Sequence, residues 1–273
     1  GRDNQRMNKL KVLVEKRRAV TTITINRTEV RNAIDRDTAR KLAGVFTAFD
    51  KDDSLKVAVL QGAGGNFCAG GDLKALSEGT FAEFPFLESP MDPLDNNGPI
   101  GPSYLQLSKP VIGAISGYAV AGGLEIALWC DLRIAEEDAV FGVYCRRWGV
   151  PLIDGGTVRL PRLIGHSNAL DMIITGRAVL ADEAKVMGLA NRVVAKGRAT
   201  DEALELARQI CTFPQTCLRH DRRSAYEQWG MSFDEAMVNE NRLGRSTYVT
   251  GETVAGASRF SSGRGRGGSF SDI

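Results

Sequence analysis

The sequence predicts an α/β protein, a layered core of alternating strands and helices that gives way to an all-helical end. Three observations predict it. Short apolar runs of strand length alternate with segments of helical period, and glycine turns separate them. The strand signal stops at about Thr200. Two glycine-rich segments, around Gly71 and around Gly122, each lead from a strand into a helix start.

The elements follow in order. Lys11 to Glu15 and Val20 to Ile25 alternate polar and apolar residues and predict two strands paired through Arg17-Arg18. NRTEVRNAI, Asn26 to Ile34, is a polar loop. A helix begins near Asp35 or Asp37, either of which can cap it. Its Ala39, Leu42, Phe46 and Phe49 fall on one face. Val57 to Leu60 is a buried strand that runs into GAGGNFCAGGDLKAL, Gly62 to Leu76, where a helix starts near Asp72. Glu78 to Pro102 holds Pro85, Pro90, Pro93, Pro99 and Pro102 with Phe81, Phe84 and Phe86. A long proline-interrupted loop carrying aromatics predicts a substrate-facing wall rather than a surface excursion.

Val111 to Ile115 is the next strand, followed by a turn at Ser116 and Gly117. From Gly122-Gly123 a helix begins that is apolar almost all round (Leu124, Ile126, Ala127, Leu128, Trp129), the mark of a buried helix. Ala139 to Val143 predicts a strand. Ser167 is placed to cap a helix through Ile174 that ends at Gly176, and Asp182 to Met187 is a helix ended by Gly188. Arg192 to Ala195 closes the core as a strand. Asp201 to Cys211, Gln215 to Trp229 and Phe233 to Leu243 read as three helices. The domain expectation is a core over 7–199, a helical region over 200–257, and a Gly/Ser/Arg-rich tail over 258–273, disordered or loosely docked.

Composition narrows the class. At 43% hydrophobic and 25% charged, the 273 residues match an ordinary soluble globular protein. A formal charge of +2 gives no reason to expect nucleic acid or a membrane surface as partner. No apolar run reaches membrane-spanning length. The start, GRDNQRMNKL, has no signal-peptide core, and Met7 reads as a native start. The cysteines (Cys68, Cys130, Cys145, Cys211, Cys217) form no C-x-x-C pair, so an intracellular, cytoplasmic protein with reduced thiols is expected, a mitochondrial or peroxisomal one being compatible. His166 and His220 form no metal-ligand pattern, and no metal is expected.

The chemistry centres on Glu125. The first N–H groups of a helix lack intrahelical partners, and glycine lets a ligand oxygen approach them. Glu125 sits in the first turn of a buried helix, where a carboxylate needs a partner or a task. The other reading is a core helix that merely starts with glycines. Two converging N–H donors stabilise an oxyanion on a carbonyl oxygen. With a carboxylate beside them, proton transfer next to a carbonyl is the expected chemistry.

The sequence resembles the enoyl-CoA hydratase/isomerase (crotonase) superfamily. The likeness rests on NRTEVRNAI, NFCAGGDLKAL, KPVIGAISGYAVAGGLEIALWCDLRIA, GGTVRLPRLIG and TGRAVLADEAKVMGLANRVV, in order, and covers about Leu10 to Leu243. It implies a ββα spiral core with a C-terminal helical region that forms trimers, often paired into hexamers. It implies an acyl-CoA thioester substrate, with coenzyme A as part of the substrate and no separate cofactor. The carbonyl would lie between the N–H groups of Gly71 and Gly122, and Ala69, Lys74, Gly123 and Cys145 would lie along the substrate or its coenzyme. Lys74 reads equally as a solvated helix charge, and Asp72 as a cap.

One departure matters. Hydratases of the family use two glutamates. Glu125 matches the first, and Cys145 stands at the second. Cys145 reads as a small apolar filler rather than a nucleophile. Asp154, just before Gly155-Gly156-Thr157, is the candidate replacement, catalytic or a helix cap. Arg146 and Arg147 follow Cys145, facing outward or holding an acyl carboxylate. Hydration is the leading reaction, with isomerisation, dehalogenation and decarboxylation as alternatives. Two readings of another kind are an idle family member and an RNA binder using Arg36, Arg40 and Lys41, which Asp35 and Asp37 offset.

Overall fold

The computed structural model describes residues 3, 5, 10–79 and 97–273. The chain forms two compact units, Gly1–Ala207 and Arg208–Ile273.

The first unit is built on two sheets. Strands β1 (Val12–Arg17) and β2 (Val20–Ile25) pair antiparallel, with Val12 opposite Ile25. Strands β3 (Val57–Gly62), β4 (Val111–Ile115), β6 (Leu132–Glu136) and β9 (Arg192–Val194) extend the sheet in parallel, giving the order β1-β2-β3-β4-β6-β9. Strands β5 (Tyr118–Val120), β7 (Val140–Gly142) and β8 (Val179–Leu180) form a smaller sheet in that order. The chain runs from β4 in the large sheet to β5 in the small one, then into helix α3 (Gly122–Trp129). It repeats the move through β6 and β7 before helix α4 (Gly156–Ile164). This is the expected ββα turn. Residues 57–60 and 111–115 are buried throughout, as central parallel strands covered on both faces must be.

Helix α1 (Arg36–Lys51) starts at Asp35, whose side chain accepts from the Thr38 N–H, and buries Leu42, Phe46 and Phe49. The Phe46 ring meets Trp129 edge-on at 4.8 Å. On its outer side Asp37 pairs with Lys41 at 2.9 Å and Lys11 at 3.2 Å, so its basic charge is offset locally. Helix α2 (Leu73–Ser77) is capped by Asp72, which accepts from the N–H groups of Lys74 and Ala75. Helix α5 (His166–Thr175) begins after Gly165 with no side-chain cap, and Ser167 lies inside its first turn, not at the capping position. Helix α6 (Ala181–Met187) ends at Gly188, whose φ of 86° is a left-handed stop. Helix α7 (Ala199–Cys211) runs across the division between the units.

The second unit contains α8 (Gln215–Glu227), α9 (Phe233–Val249) and α10 (Glu252–Ser261). Ser232 and Glu235 form a reciprocal capping box on α9. Glu252 accepts from the N–H groups of Thr216 and Cys217, both at 2.9 Å, and so caps α8 from a distance. The tail is more ordered than its composition suggests. Helix α10 carries it to Ser261, and the Phe270 ring packs on Phe213 at 5.8 Å. Among the described residues no helix is long and apolar enough to cross a membrane. The proline-rich segment expected as a substrate wall falls mostly in 80–96, outside the described residues.

Candidate active site

Glu125 leaves the first turn of α3 and is only 2% exposed. One of its oxygens, Oε2, accepts from the N–H groups of Asp154 and Gly156, both at 2.8 Å. Desolvation raises the Glu125 carboxyl to about 8, and the nearby Asp154 charge adds to the rise. Asp154 is also 2% exposed. Its Oδ1 accepts from the Ser103 hydroxyl and from the Ile100 N–H. Burial raises it to about 6, and the Ser103 and Ile100 donors hold it back. Both carboxyls line one cavity, and burial raises both, Glu125 above Asp154. The capping reading of Asp154 is overturned: Gly155 holds the cap position of α4 with no side-chain cap, and the Asp154 carboxyl turns to Ser103 and Ile100.

The two glycine amides are bared for different reasons. Gly71 bridges Ile34 in parallel, and Ile34 spends its own groups on the Gly70 carbonyl at 2.7 Å and the Asp72 N–H at 2.9 Å. The Gly71 N–H, pointing the other way along an extended chain, has no acceptor among the described residues. The Arg27 guanidinium pins this segment by reaching Asp72 at 3.2 Å and Asp35 at 3.4 Å. The Gly122 N–H opens α3, so no carbonyl of that helix lies behind it. Ala121 before it holds φ 52°, ψ −125°, a strained backbone for a residue with a side chain, and its own N–H donates to the Gly142 carbonyl. The glycines meet: a Cβ on Gly122 would stand 3.3 Å from the Gly71 nitrogen. Gly70, at φ 97°, must be glycine, since a Cβ there would lie 2.7 Å from the Gly122 nitrogen.

A cavity of about 560 Å³ is lined by Ala69, Gly71, Gly122, Glu125, Cys145 and Asp154, together with apolar residues that include Pro99, Ile100 and Ile153. Tyr118 and Tyr144, ring centroids 6.4 Å apart, stand on its wall, and each carries an arginine, Arg31 at 5.4 Å and Arg147 at 5.0 Å. Arg147 thus lines the cavity, whereas Arg146 is turned to the Ile173 carbonyl. Two expected contact residues lie elsewhere. Lys74 is exposed and does not line the cavity. Gly123 is packed on the Cys68 backbone, where a Cβ would fall 2.0 Å from its carbonyl oxygen. Its glycine identity answers to that close approach.

Cys145 is 5% exposed, and burial followed by the Glu125 charge pushes its thiol up, so it stays protonated and apolar in character. Cys145→Ala is expected to keep turnover close to the parent's; a drop beyond about tenfold, or 1.4 kcal/mol in barrier, would give the thiol a chemical role. Ser103, Ile100 and Arg159, which surround Asp154, escape a reading of the sequence. They lie in a proline- and glycine-broken stretch or on an ordinary helix, and nothing in their spacing marks them.

Two buried carboxyls, two amides with no acceptor among the described residues and an apolar chamber make an arrangement capable of acid–base chemistry beside a polarised carbonyl. Comparisons with known proteins give the family. The family model described as enoyl-CoA hydratase/isomerase matches residues 15–264. Enoyl-CoA hydratase EchA19 of Mycobacterium tuberculosis is 35% identical over 259 residues, covering 92% of this chain and 94% of that protein. Carnitinyl-CoA dehydratase of Proteus mirabilis is 41% identical over 196 residues, covering 71% and 72%. A crystal structure of enoyl-CoA hydratase EchA1 from Mycobacterium marinum superposes with a TM-score of 0.83 at 33% identity, covering 93% of this chain and 96% of that one. The chain belongs to the enoyl-CoA hydratase/isomerase family, and it is an enzyme of the lyase/isomerase class with the crotonase fold.

Proposed function

We propose that this enzyme adds water to a 2-enoyl-CoA thioester. The thioester oxygen accepts from the Gly71 and Gly122 N–H groups, which stabilise the enolate as charge moves onto it. Glu125 and Asp154 supply the base that takes a proton from water and the acid that protonates the α carbon. The water oxygen bonds to the β carbon as the carbon–carbon π pair moves to the enolate. The enolate then collapses onto the delivered proton, and the carboxyl pair resets by exchange with solvent. Coenzyme A enters as part of the substrate, and the reaction needs no other cofactor.

One observation carries this reading. A second buried carboxyl, Asp154, lines the same cavity as Glu125, so replacement of the usual second glutamate by Cys145 still leaves two. Incubation with a panel of 2-enoyl-CoA and 3-hydroxyacyl-CoA thioesters in heavy water tests it by mass. Gain of one water is expected. Deuterium uptake without hydration would replace it with isomerisation, and an unchanged panel would leave an idle member. Asp154→Asn is expected to lower turnover about 10²-fold without lowering the melting temperature at neutral pH, since Asp154 caps no helix and its buried carboxyl is raised to about 6; a loss confined to stability would remove it from the chemistry.

The assembly we propose is a homotrimer, or two trimers paired, held through the helical unit. Exposed Phe233, Met237, Val238 and Val249 there favour a covered surface. A cytoplasmic location fits the reduced thiols.

A further inference from the structure

We infer that Ser103 is a positioning residue: its hydroxyl, with the Ile100 N–H, holds Asp154 as the ionised member of the pair. That makes Asp154 the base toward water and Glu125 the acid toward the α carbon. The inference rests on the hydratase reading above and divides the labour within it.

Asp154 Oδ1 accepts from two donors, and hydrogen bonds donated to a carboxyl favour its charged form. Ser103 is fully buried, so no water can take over its hydroxyl without opening the core. Its main chain is held as well. Arg159 donates through Nη2 to the Ser103 carbonyl at 2.8 Å and through Nη1 to the Asp154 carbonyl at 3.1 Å. One guanidinium thus clamps both strands of chain that carry the pair. Gly98 closes the arrangement: a Cβ there would lie 1.7 Å from the Ser103 hydroxyl oxygen and 2.9 Å from Asp154 Oδ1. Residues 98–103 are wrapped on Asp154 as a support.

Glu125 is arranged differently. Its two donors are both backbone N–H groups, converging on Oε2, so no side-chain substitution removes them. The other groups that face the pair do not compete for the proton. The Arg159 charge favours ionisation of both carboxyls. Tyr104 donates its hydroxyl to the Ile153 carbonyl at 2.6 Å, and burial raises it. Cys145 is raised likewise. Each carboxyl accepts two hydrogen bonds; Glu125 takes both from backbone N–H groups, whereas Asp154 takes one from the Ile100 N–H and one from the Ser103 hydroxyl, a side-chain donor that a substitution can remove.

The test follows the dependence of kcat/KM on pH for the best enoyl-CoA substrate. The parent should give a bell, with Asp154 on the acid limb and Glu125 on the alkaline limb. Ser103→Ala should move the acid limb upward by about one pH unit, the size of one lost hydrogen bond to a charged acceptor. Ser103→Thr, which keeps the donor, should restore it. An acid limb unmoved in Ser103→Ala, with activity lowered equally at every pH, would overturn the inference and leave Ser103 a packing residue. Carbon-13 NMR titration of the aspartate carboxyls, with Asp154→Asn assigning the signal, reads the same shift without turnover. A parent that titrates as described yet hydrates nothing would sink the hydratase reading alone; a hydratase whose Asp154 signal ignores Ser103→Ala would sink only the role of Ser103.

Discussion

Glu125→Gln is expected to cut turnover about 10³- to 10⁴-fold while raising stability at alkaline pH. The amide keeps the volume of the acid, and its oxygen can still accept from the Asp154 and Gly156 N–H groups. It cannot deliver a proton and return to its starting form. The stability gain follows from the raised carboxyl. With a folded value of about 8 against 4.5 for the free group, the folded protein holds more protons than the unfolded chain between those values. Stability therefore falls as pH climbs through that window, and is least burdened below 4.5. Glutamine has no charge to desolvate, so the variant should melt above the parent near pH 8 and approach it as the pH is lowered. Thermal melts across that range, beside turnover assays, check both halves. Retained turnover would dismiss Glu125 as an acid or base, and parallel melting curves would dismiss its buried charge.

Gly123→Ala is the second large effect, and it acts through the fold. The added methyl would sit 2.0 Å from the Cys68 carbonyl oxygen and 2.7 Å from its carbonyl carbon, both backbone atoms. Cys68 cannot give way cheaply, because its N–H donates to Tyr118 and its carbonyl accepts from Val120. The cost expected is at the upper end of the 1–3 kcal/mol typical of overpacking, about 3 kcal/mol. Since Cys68 lies three residues before Gly71, the same displacement spreads the two amides, and activity should drop beyond what the unfolded fraction explains. Denaturant titration and kcat measured on the folded protein separate the two effects. A variant of parental stability would mean that α3 shifts away as a body.

How much of this was legible beforehand depends on whether a residue works through its own local pattern. Glu125 stood out because a lone acid in an apolar helix violates the expected burial of charge. Gly71 and Gly122 stood out because glycine before a helix start has few other reasons to be there. The caps at Asp35 and Asp72 were readable for the same local reason. Asp154 read as a catalytic residue or another such cap, and the structure removes the cap because the partners of its carboxyl lie about fifty positions back, at Ile100 and Ser103. Strands β5 and β8 are only three and two residues long, too short for a period to register. The tail helix α10 contains Gly256 and small polar residues, and its position depends on Glu252 bonding to α8, a contact no local window contains.

The partners that fix the site are far apart along the chain. Arg27 and Asp72 are separated by 45 residues, Ser103 and Asp154 by 51, and Glu125 and Asp154 by 29. No fragment carries a working centre, and none of its parts can form early on the strength of neighbours in sequence. Loop closure on this scale makes assembly slow relative to helix formation. During refolding from denaturant, recovery of ellipticity should run ahead and catalytic power should return last, so that turnover serves as a clock for the final docking of the spiral.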